Sequence, residues 1–346
     1  MRHYRIVALP GEGIGPEVVE ACLAILQAIA TAKGFTVTVS SGWIGELAKQ
    51  QFGEYLPKET LQMCEGSDGI LFGSVTKGGL LELRKHFDLF ANLRPVKPSA
   101  SLLNLSPIKA DRLANVDLLF VRELVSGIYF GQAERGEDYG FHTMHYADAE
   151  IRRVAKVALQ YAQARGQRLC VAHKENALPY LRWRQLVQAE AQAFPDVCVE
   201  PMLVDNLAMQ LVMRPADFDV ILAGNLFGDI LSDLGGAIAG SIGLLGSASL
   251  NAEGFGMYEA VHGTAPNIAG KGIANPLGTL AGLVLMLQQW GELKAAQVLI
   301  AIQEKLLAQG YRTADLFQPK LAQRQQRITT AELVNLFITS IRETSR

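Results

Sequence analysis

Residues 8–26 read ALPGEGIGPEVVEACLAIL. The apolar run Ile6–Leu9 leads into alternating Gly11, Gly13 and Gly15, then Pro16 and an apolar helical pattern. A strand, a glycine loop and a helix open a dinucleotide-binding Rossmann unit. That fingerprint needs a third glycine where helix and strand pack closely, and an acid about 20 residues on for a ribose hydroxyl. Here Pro16 takes the third position, and the sequence carries no acid between Glu20 and Glu46. The stretch reads instead as a loop in which Gly-Pro starts a helix. Pro16 is placed at its first position and Glu17 faces the positive end of the helix dipole. The loop still allows a close backbone approach to a cofactor by another route.

The rest of the chain alternates strand and helix patterns, which predicts an α/β fold. Strands are expected at Ile6–Leu9, Thr36–Ser40, Gly69–Phe72, Leu118–Val121, Arg168–Ala172 and Val220–Ala223. Asp148 is a candidate N-cap for a helix that buries Ile151, Val154, Ala158 and Ala162 and ends at Gly166. A helix apolar nearly all round spans about 276–290, and a last one starts at Thr329 with Glu332 completing a capping box. The uncharged stretch Leu234–Leu250 is short for a bilayer and interrupted by five glycines, so a packed interior segment is expected. With no repeat and no low-complexity linker, two domains would be interwoven rather than strung in series.

The chain has 346 residues, 49% of them hydrophobic and 19% charged, with a net charge near −2. That balance suits a globular protein and gives no field to recruit nucleic acid or an anionic membrane. Cys22, Cys64, Cys170 and Cys198 lie far apart without a CxxC, which argues against a disulfide framework or a zinc site. The opening MRHYRIVALP lacks a secretory core and cleavage site. A cytoplasmic location is expected.

Chemistry concentrates in a few stretches. In VILAGNLFGDILSDLGG (220–236), Asp229 and Asp233 are four apart and share a helix face. Two such acids are either a solvated face or a pair held by a hard divalent ion such as Mg²⁺ or Mn²⁺. Apolar Ile230, Leu231 and Leu234 beside them weigh toward the ion. Asp205, in LVDNLAMQLV, also follows an apolar run. Arg84, Arg94 and Arg122 offer bidentate forks for carboxylate or phosphate, against the alternative of ordinary surface arginines. Tyr129 is a candidate acid, and Lys174, just after a strand, a candidate base.

The segments PGEGIGPE, LRKHFDLFANLRP, VRELVSGIYFG, HKEN, VDNLAMQLV, GNLFGDILSDLGG and HGTAPNIAGKGIANP run in order from residue 10 to 276. Together they resemble the β-decarboxylating dehydrogenases of the isocitrate/3-isopropylmalate dehydrogenase family. The resemblance implies a two-domain α/β subunit that is not Rossmann. Residues 1–90 and 242–346 would form the first domain and 91–241 the second. It implies a homodimer with shared active sites and metal-dependent, NAD-linked oxidative decarboxylation of a 3-substituted malate. By the same resemblance, Arg84, Arg94 and Arg122 would clamp the malate carboxylates. Asp229 and Asp233, with Asp205 from the partner subunit, would hold Mg²⁺ or Mn²⁺. Lys174, also from the partner, would act as base and Tyr129 as acid. Ile14, Asn176 and Glu259 would lie near the nicotinamide. The adenosine half would sit on His262, Gly263, Thr264, Ala265, Pro266, Asn267 and Asn275.

Departures from the family pattern bear on substrate and cofactor. The segment FGSVTKGGLLELRK is shortened, and Lys77 stands where isopropylmalate enzymes carry an acid. Leu80 and Leu81 would line an apolar side-chain pocket, since leucine cannot hydrogen-bond a buried carboxylate. This favours 3-isopropylmalate of leucine biosynthesis. Gly78 and the short loop suggest room for a bulkier group, making a 3-benzylmalate or alkylmalate enzyme the alternative, with a non-catalytic regulatory subunit as a second. Asn267–Ile268 replaces both the aspartate of NAD enzymes and the lysine–tyrosine pair of NADP enzymes, and adds no cation for a 2′-phosphate. Glu175 beside Lys174 is a further departure, able to perturb the base.

Overall fold

The computed structural model describes residues 2–344. Its strands are β1 (Arg2–Gly11), β2 (Phe35–Ser41), β3 (Gly69–Ser74), β4 (Ala91–Val96), β5 (Leu118–Glu123), β6 (Ala133–Arg135), β7 (Gly140–His142), β8 (Arg168–His173), β9 (Cys198–Leu203), β10 (Val220–Ala223), β11 (Gly246–Leu250), β12 (Gly256–Ala260), β13 (Tyr311–Arg312) and β14 (Gln326–Arg327). Ten of them form one mixed sheet in the order β2-β1-β3-β12-β11-β4-β5-β10-β8-β9. The first five places come from residues 2–74 and 246–260, the last five from 91–223. The chain thus leaves one half of the sheet, builds the other and returns. Four strands in each half run parallel, β2-β1-β3-β12 and β5-β10-β8-β9, and β11 and β4 join the two sets through antiparallel pairs.

Each predicted strand is present, extended by a residue or more except β10, which spans Val220–Ala223 as expected. Strand residues alternate between two packed faces. On one face Ile6, Ala8, Leu71, Leu93, Val121, Leu169 and Leu222 enter a single large core. Helices Gly15–Lys33, Leu277–Gln289, Leu293–Ala308 and Thr330–Thr344 cover it in the first half, and Asp148–Ala164 with Trp183–Glu190 in the second. On the other face the apolar residues fall into two separate clusters. One holds Val7, Leu9, Ile70, Phe72, Leu83 and Met257. The other holds Phe120, Cys170, Ala172, Leu207, Ile221 and Leu231. A polar stripe lies between them.

Some local expectations need correction. Pro16 is the second residue of its helix, because Gly15 already has helical geometry. Glu17 does more than complement a dipole. Its Oε1 accepts from the Ala274 N–H at 2.9 Å and from the Thr330 hydroxyl. Asp148 lies inside its helix. The N-cap is Ala147, whose N–H reaches Glu150 at 2.7 Å, and Asp148 pairs with Arg182. The helix ends at Ala164, two residues before Gly166. At the last helix, the Thr329 N–H and hydroxyl both donate to Glu332 and its own oxygen accepts the Glu332 N–H, as a capping box requires. Within 234–250, Gly240 ends a helix in left-handed geometry and β11 follows, buried along its whole length. Helix Gly15–Lys33 is long and apolar enough to cross a membrane, but Val18, Val19, Cys22, Ile25, Leu26 and Ile29 face the core.

Gly13 shows why the opening loop is glycine-rich. Its φ is +62°, and a Cβ there would lie 2.0 Å from the Thr264 carbonyl oxygen. The next residue, Ile14, donates its N–H to that same oxygen at 2.9 Å. Gly13→Ala is therefore expected to lower stability by at least about 1 kcal/mol, from the left-handed backbone plus the clash. Urea unfolding of the two proteins side by side checks this.

Candidate active site

The polar stripe is the floor of the candidate site. In the antiparallel register Asn92 lies opposite Arg122 and Arg94 opposite Phe120, so both arginines share one sheet face. Arg84 comes from helix Leu80–His86, which follows β3. All three arginines are 7% exposed or less. Burying cations is costly unless they are paired and hydrogen-bonded, and each of these is. Arg84 Nη2 reaches Glu259 Oε1 at 3.0 Å. Arg94 donates to Asn92 (3.0 Å) and Ser232 (2.8 Å) and faces Asp229 and Asp233 at 3.3 and 3.4 Å. Arg122 donates twice to Asn225 Oδ1, at 2.7 and 3.0 Å, and pairs with Asp229. Burial, then neighbouring Arg94, pulls Arg122 down to about 10, still fully charged at neutral pH.

Helix Asn225–Ala239 brings the acids over this floor. Positions 225, 229, 232 and 233 share a face, and all four touch an arginine. The helix comes this close because residue 228 is glycine. A Cβ there would sit 2.7 Å from Arg122 Cγ. Tyr129, on the short turn Gly127–Tyr129, donates to Asp229 Oδ2 at 3.1 Å. Burial, then the Asp229 charge, raises its phenol, so it keeps its proton at neutral pH. Asp233 is raised by burial, with the like charge of Asp229 adding to it. A carboxylate pair in that condition, offering only hard oxygen ligands, fits Mg²⁺ or Mn²⁺.

Lys174 follows β8 and Asp205 follows β9, and the two form an ion pair at 2.6 Å. Asp205 is not brought to Asp229 and Asp233, and among the described residues no group of three such side chains gathers to hold a metal within one chain. Lys174 lies instead with Gly224, Leu226 and Phe227, and Phe227 is on the side of the helix away from Asp229. Glu175 is engaged by Arg184. It accepts the Arg184 N–H at 2.9 Å and pairs with its guanidinium at 3.2 Å. Asn176 is exposed beside them.

The proposed nucleotide residues form an open loop after β12. Gly263, Ala265, Pro266 and Asn267 are exposed, and Ala265 is left-handed at φ +39°. His262 Nε2 is buried without a partner among the described residues, an orphan that a ligand would satisfy. Asn275 is held by Asp315 at 3.0 Å and caps the Leu277 N–H. Ile14 is buried against Val18 and Ala274, and its loop touches Thr264 directly. Leu80 is half-buried and Leu81 is 41% exposed. The room expected at Gly78 is not there. A Cβ on Gly78 would lie 2.3 Å from the Tyr55 ring, which packs against the glycine.

Sequence reading missed the supports. Asn225, Asn92, Ser232 and Glu123 are all 1% exposed or less. The i, i+2 pair Asn92/Arg94 and the alternating Ser247/Ser249 of β11 were the available signal, since Asn92 donates to both serines. Glu123 accepts the N–H groups of Val125 (3.1 Å) and Ser126 (3.0 Å). Among the described residues it forms no ion pair, and burial pushes it up to about 7. An acid with a raised folded-state pKa favours the fold fully below its unfolded value, near 4.5, and that support is lost as pH rises through 7. Between pH 5 and 8 the wild type should lose up to about 3 kcal/mol more stability than Glu123→Gln. Urea melts of both proteins across that range read the difference.

A sequence profile of the isocitrate/isopropylmalate dehydrogenase family matches residues 5–336. The 3-isopropylmalate dehydrogenase of Halalkalibacterium halodurans is 45% identical over 335 residues, 91% of this chain and 92% of that one. That of Aquifex aeolicus is 43% identical, covering 92% of each. Among solved structures, isocitrate dehydrogenase from Methylococcus capsulatus superposes with a TM-score of 0.86 at 29% identity, covering 98% of this chain and 99% of that one. A β-decarboxylating dehydrogenase from Thermococcus kodakarensis does so at 0.80 and 32%, covering 98% and 96%. The chain belongs to the isocitrate/isopropylmalate dehydrogenase family and is a decarboxylating dehydrogenase, of a family that works with NAD(P) and a divalent metal.

Proposed function

We propose that the protein oxidises and decarboxylates 3-isopropylmalate to 2-oxoisocaproate with NAD and Mg²⁺ or Mn²⁺, in leucine biosynthesis. One observation carries the reading. Leu80 and Leu81 sit on the same short helix as Arg84, within a turn of it, while Arg94 faces Asp229 and Asp233 and Arg122 pairs with Asp229. These contacts support a site that joins anion clamps and hard-metal ligands to an apolar wall. With Tyr55 under Gly78, the wall suits a short branched substituent better than a benzyl group.

The two halves of the sheet serve as two domains, 1–90 with 242–346 and 91–241, with the cleft above the polar stripe. Arg84, Arg94 and Arg122 bind the malate carboxylates. Asp229 and Asp233 hold the metal with Asp205 of a second copy, and residues 262–267, Asn275, Ile14, Asn176 and Glu259 hold the dinucleotide. When bound, the nicotinamide supplies the hydride acceptor and the metal the Lewis acid for the C2 oxygen. Lys174 of the second copy takes the C2 hydroxyl proton. Tyr129 gives its proton to C3 once carbon dioxide has left. Met209, Val212, Met213 and Ile230, each about half exposed, form the apolar surface on which a homodimer would close. Asn267 leaves NAD preferred, since no cation is added for a 2′-phosphate.

Two measurements test this. NADH and NADPH formation with isopropylmalate, benzylmalate, isocitrate and D-malate, with and without Mg²⁺, should be fastest with isopropylmalate, NAD and metal. Faster turnover of benzylmalate would overturn the substrate assignment. For the shared site, Lys174→Ala and Asp233→Asn should each be inactive alone. Mixed and reassociated, half the dimers are hybrids with one intact site, giving roughly a quarter of wild-type activity. A mixture as dead as its parts would place both groups in one chain's own site.

A further inference from the structure

Asn225 stands where the substrate clamp and the proton-donor turn meet. It is 1% exposed. Its Oδ1 accepts both Nε and Nη2 of Arg122, at 3.0 and 2.7 Å. Its Nδ2 donates to the Ser126 carbonyl at 2.9 Å, and its own N–H donates to the Tyr146 hydroxyl at 2.7 Å. Ser126 directly precedes the turn Gly127–Tyr129. The segment leading into the turn is also held by Glu123, which takes the N–H groups of Val125 and Ser126. One amide therefore uses its acceptor on the arginine and its donor on the segment that carries Tyr129.

We propose that Asn225 is a positioning residue that locks Arg122 and the Tyr129 turn into one register, so that a seated carboxylate and a correctly aimed phenol come together. This rests on Tyr129 being the proton donor. The division of labour within the side chain is specific. An aspartate at 225 keeps an acceptor for Arg122 and loses the donor to Ser126. An alanine loses both.

Asn225→Asp should leave the isopropylmalate KM within about threefold of wild type and lower kcat about tenfold. Asn225→Ala should lower kcat similarly and also raise KM about tenfold. In a Tyr129→Phe background, Asn225→Asp should cost less than about a further twofold, because the group it aims is gone. An equal factor in both backgrounds, or a KM rise in Asn225→Asp matching that of Asn225→Ala, would overturn the proposal. Should the Asn225 variants fail to fold, Glu123→Gln takes their place, with the same kcat loss and the same non-additivity expected. A turnover-independent measurement separates this from the substrate assignment. In 3-fluorotyrosine-labelled protein, the ¹⁹F signal assigned by Tyr129→Phe should move in Asn225→Asp while that of exposed Tyr180 stays put. An unmoved Tyr129 signal would sink the idea even if turnover fell, and a moved one would uphold it even if isopropylmalate proved the wrong substrate.

Discussion

Burying three guanidinium groups beside one another is the constraint around which the rest is arranged. Arg84 and Arg94 each depress Arg122 through their charge, so the cluster is self-repelling as well as desolvated. It persists because three carboxylates, Asp229, Asp233 and Glu259, face it, and because Asn92, Asn225 and Ser232 accept its N–H groups. Helix Asn225–Ala239 has to lie hard against the strands for this, which fixes glycine at 228. Electrostatic need thus selects a packing detail on a helix whose other face is ordinary apolar core.

The same requirement divides one face of the sheet. Opposite the single large core, the middle strands carry Glu259, Ser247, Ser249, Asn92, Arg94 and Arg122 where apolar residues would have continued the layer. The apolar residues of that face separate to either side. In the second half the candidate residues Arg122, Lys174, Asp205 and Asn225 lie at or just after the ends of β5, β8, β9 and β10, which run parallel, and the carboxyl ends of parallel strands are where α/β sheets leave a crevice.

Legibility in the sequence follows from range. Strands such as Val220–Ala223 and the helix Leu277–Gln289 were readable because apolar period and local caps suffice for them. The charged site residues were readable because their side-chain types are informative alone, and the order of the segments named the family. Asn225, Ser232 and Asn92 were not, because a buried amide or hydroxyl looks like any loop polar residue until its partner is known. The arginines they hold lie more than a hundred residues away, except within Asn92–Arg94. Gly78 failed for a related reason. An absent side chain suggested space, and a tyrosine 23 positions earlier occupied it.

The opening glycine loop takes its meaning from the same long-range view. It is not a phosphate cradle at the end of a Rossmann strand. Gly13 allows the backbone to touch Thr264, and Ile14 closes that contact with a hydrogen bond. Four residues on, Glu17 clasps the Ala274 N–H and the Thr330 hydroxyl, next to Asn275 and at the start of the last helix. The loop and helix therefore brace the segment 262–275 at both of its ends. A loop as exposed as 263–267 has little core of its own to order it. Its geometry must be borrowed from a rigid neighbour, and the first strand and helix of the chain are that neighbour.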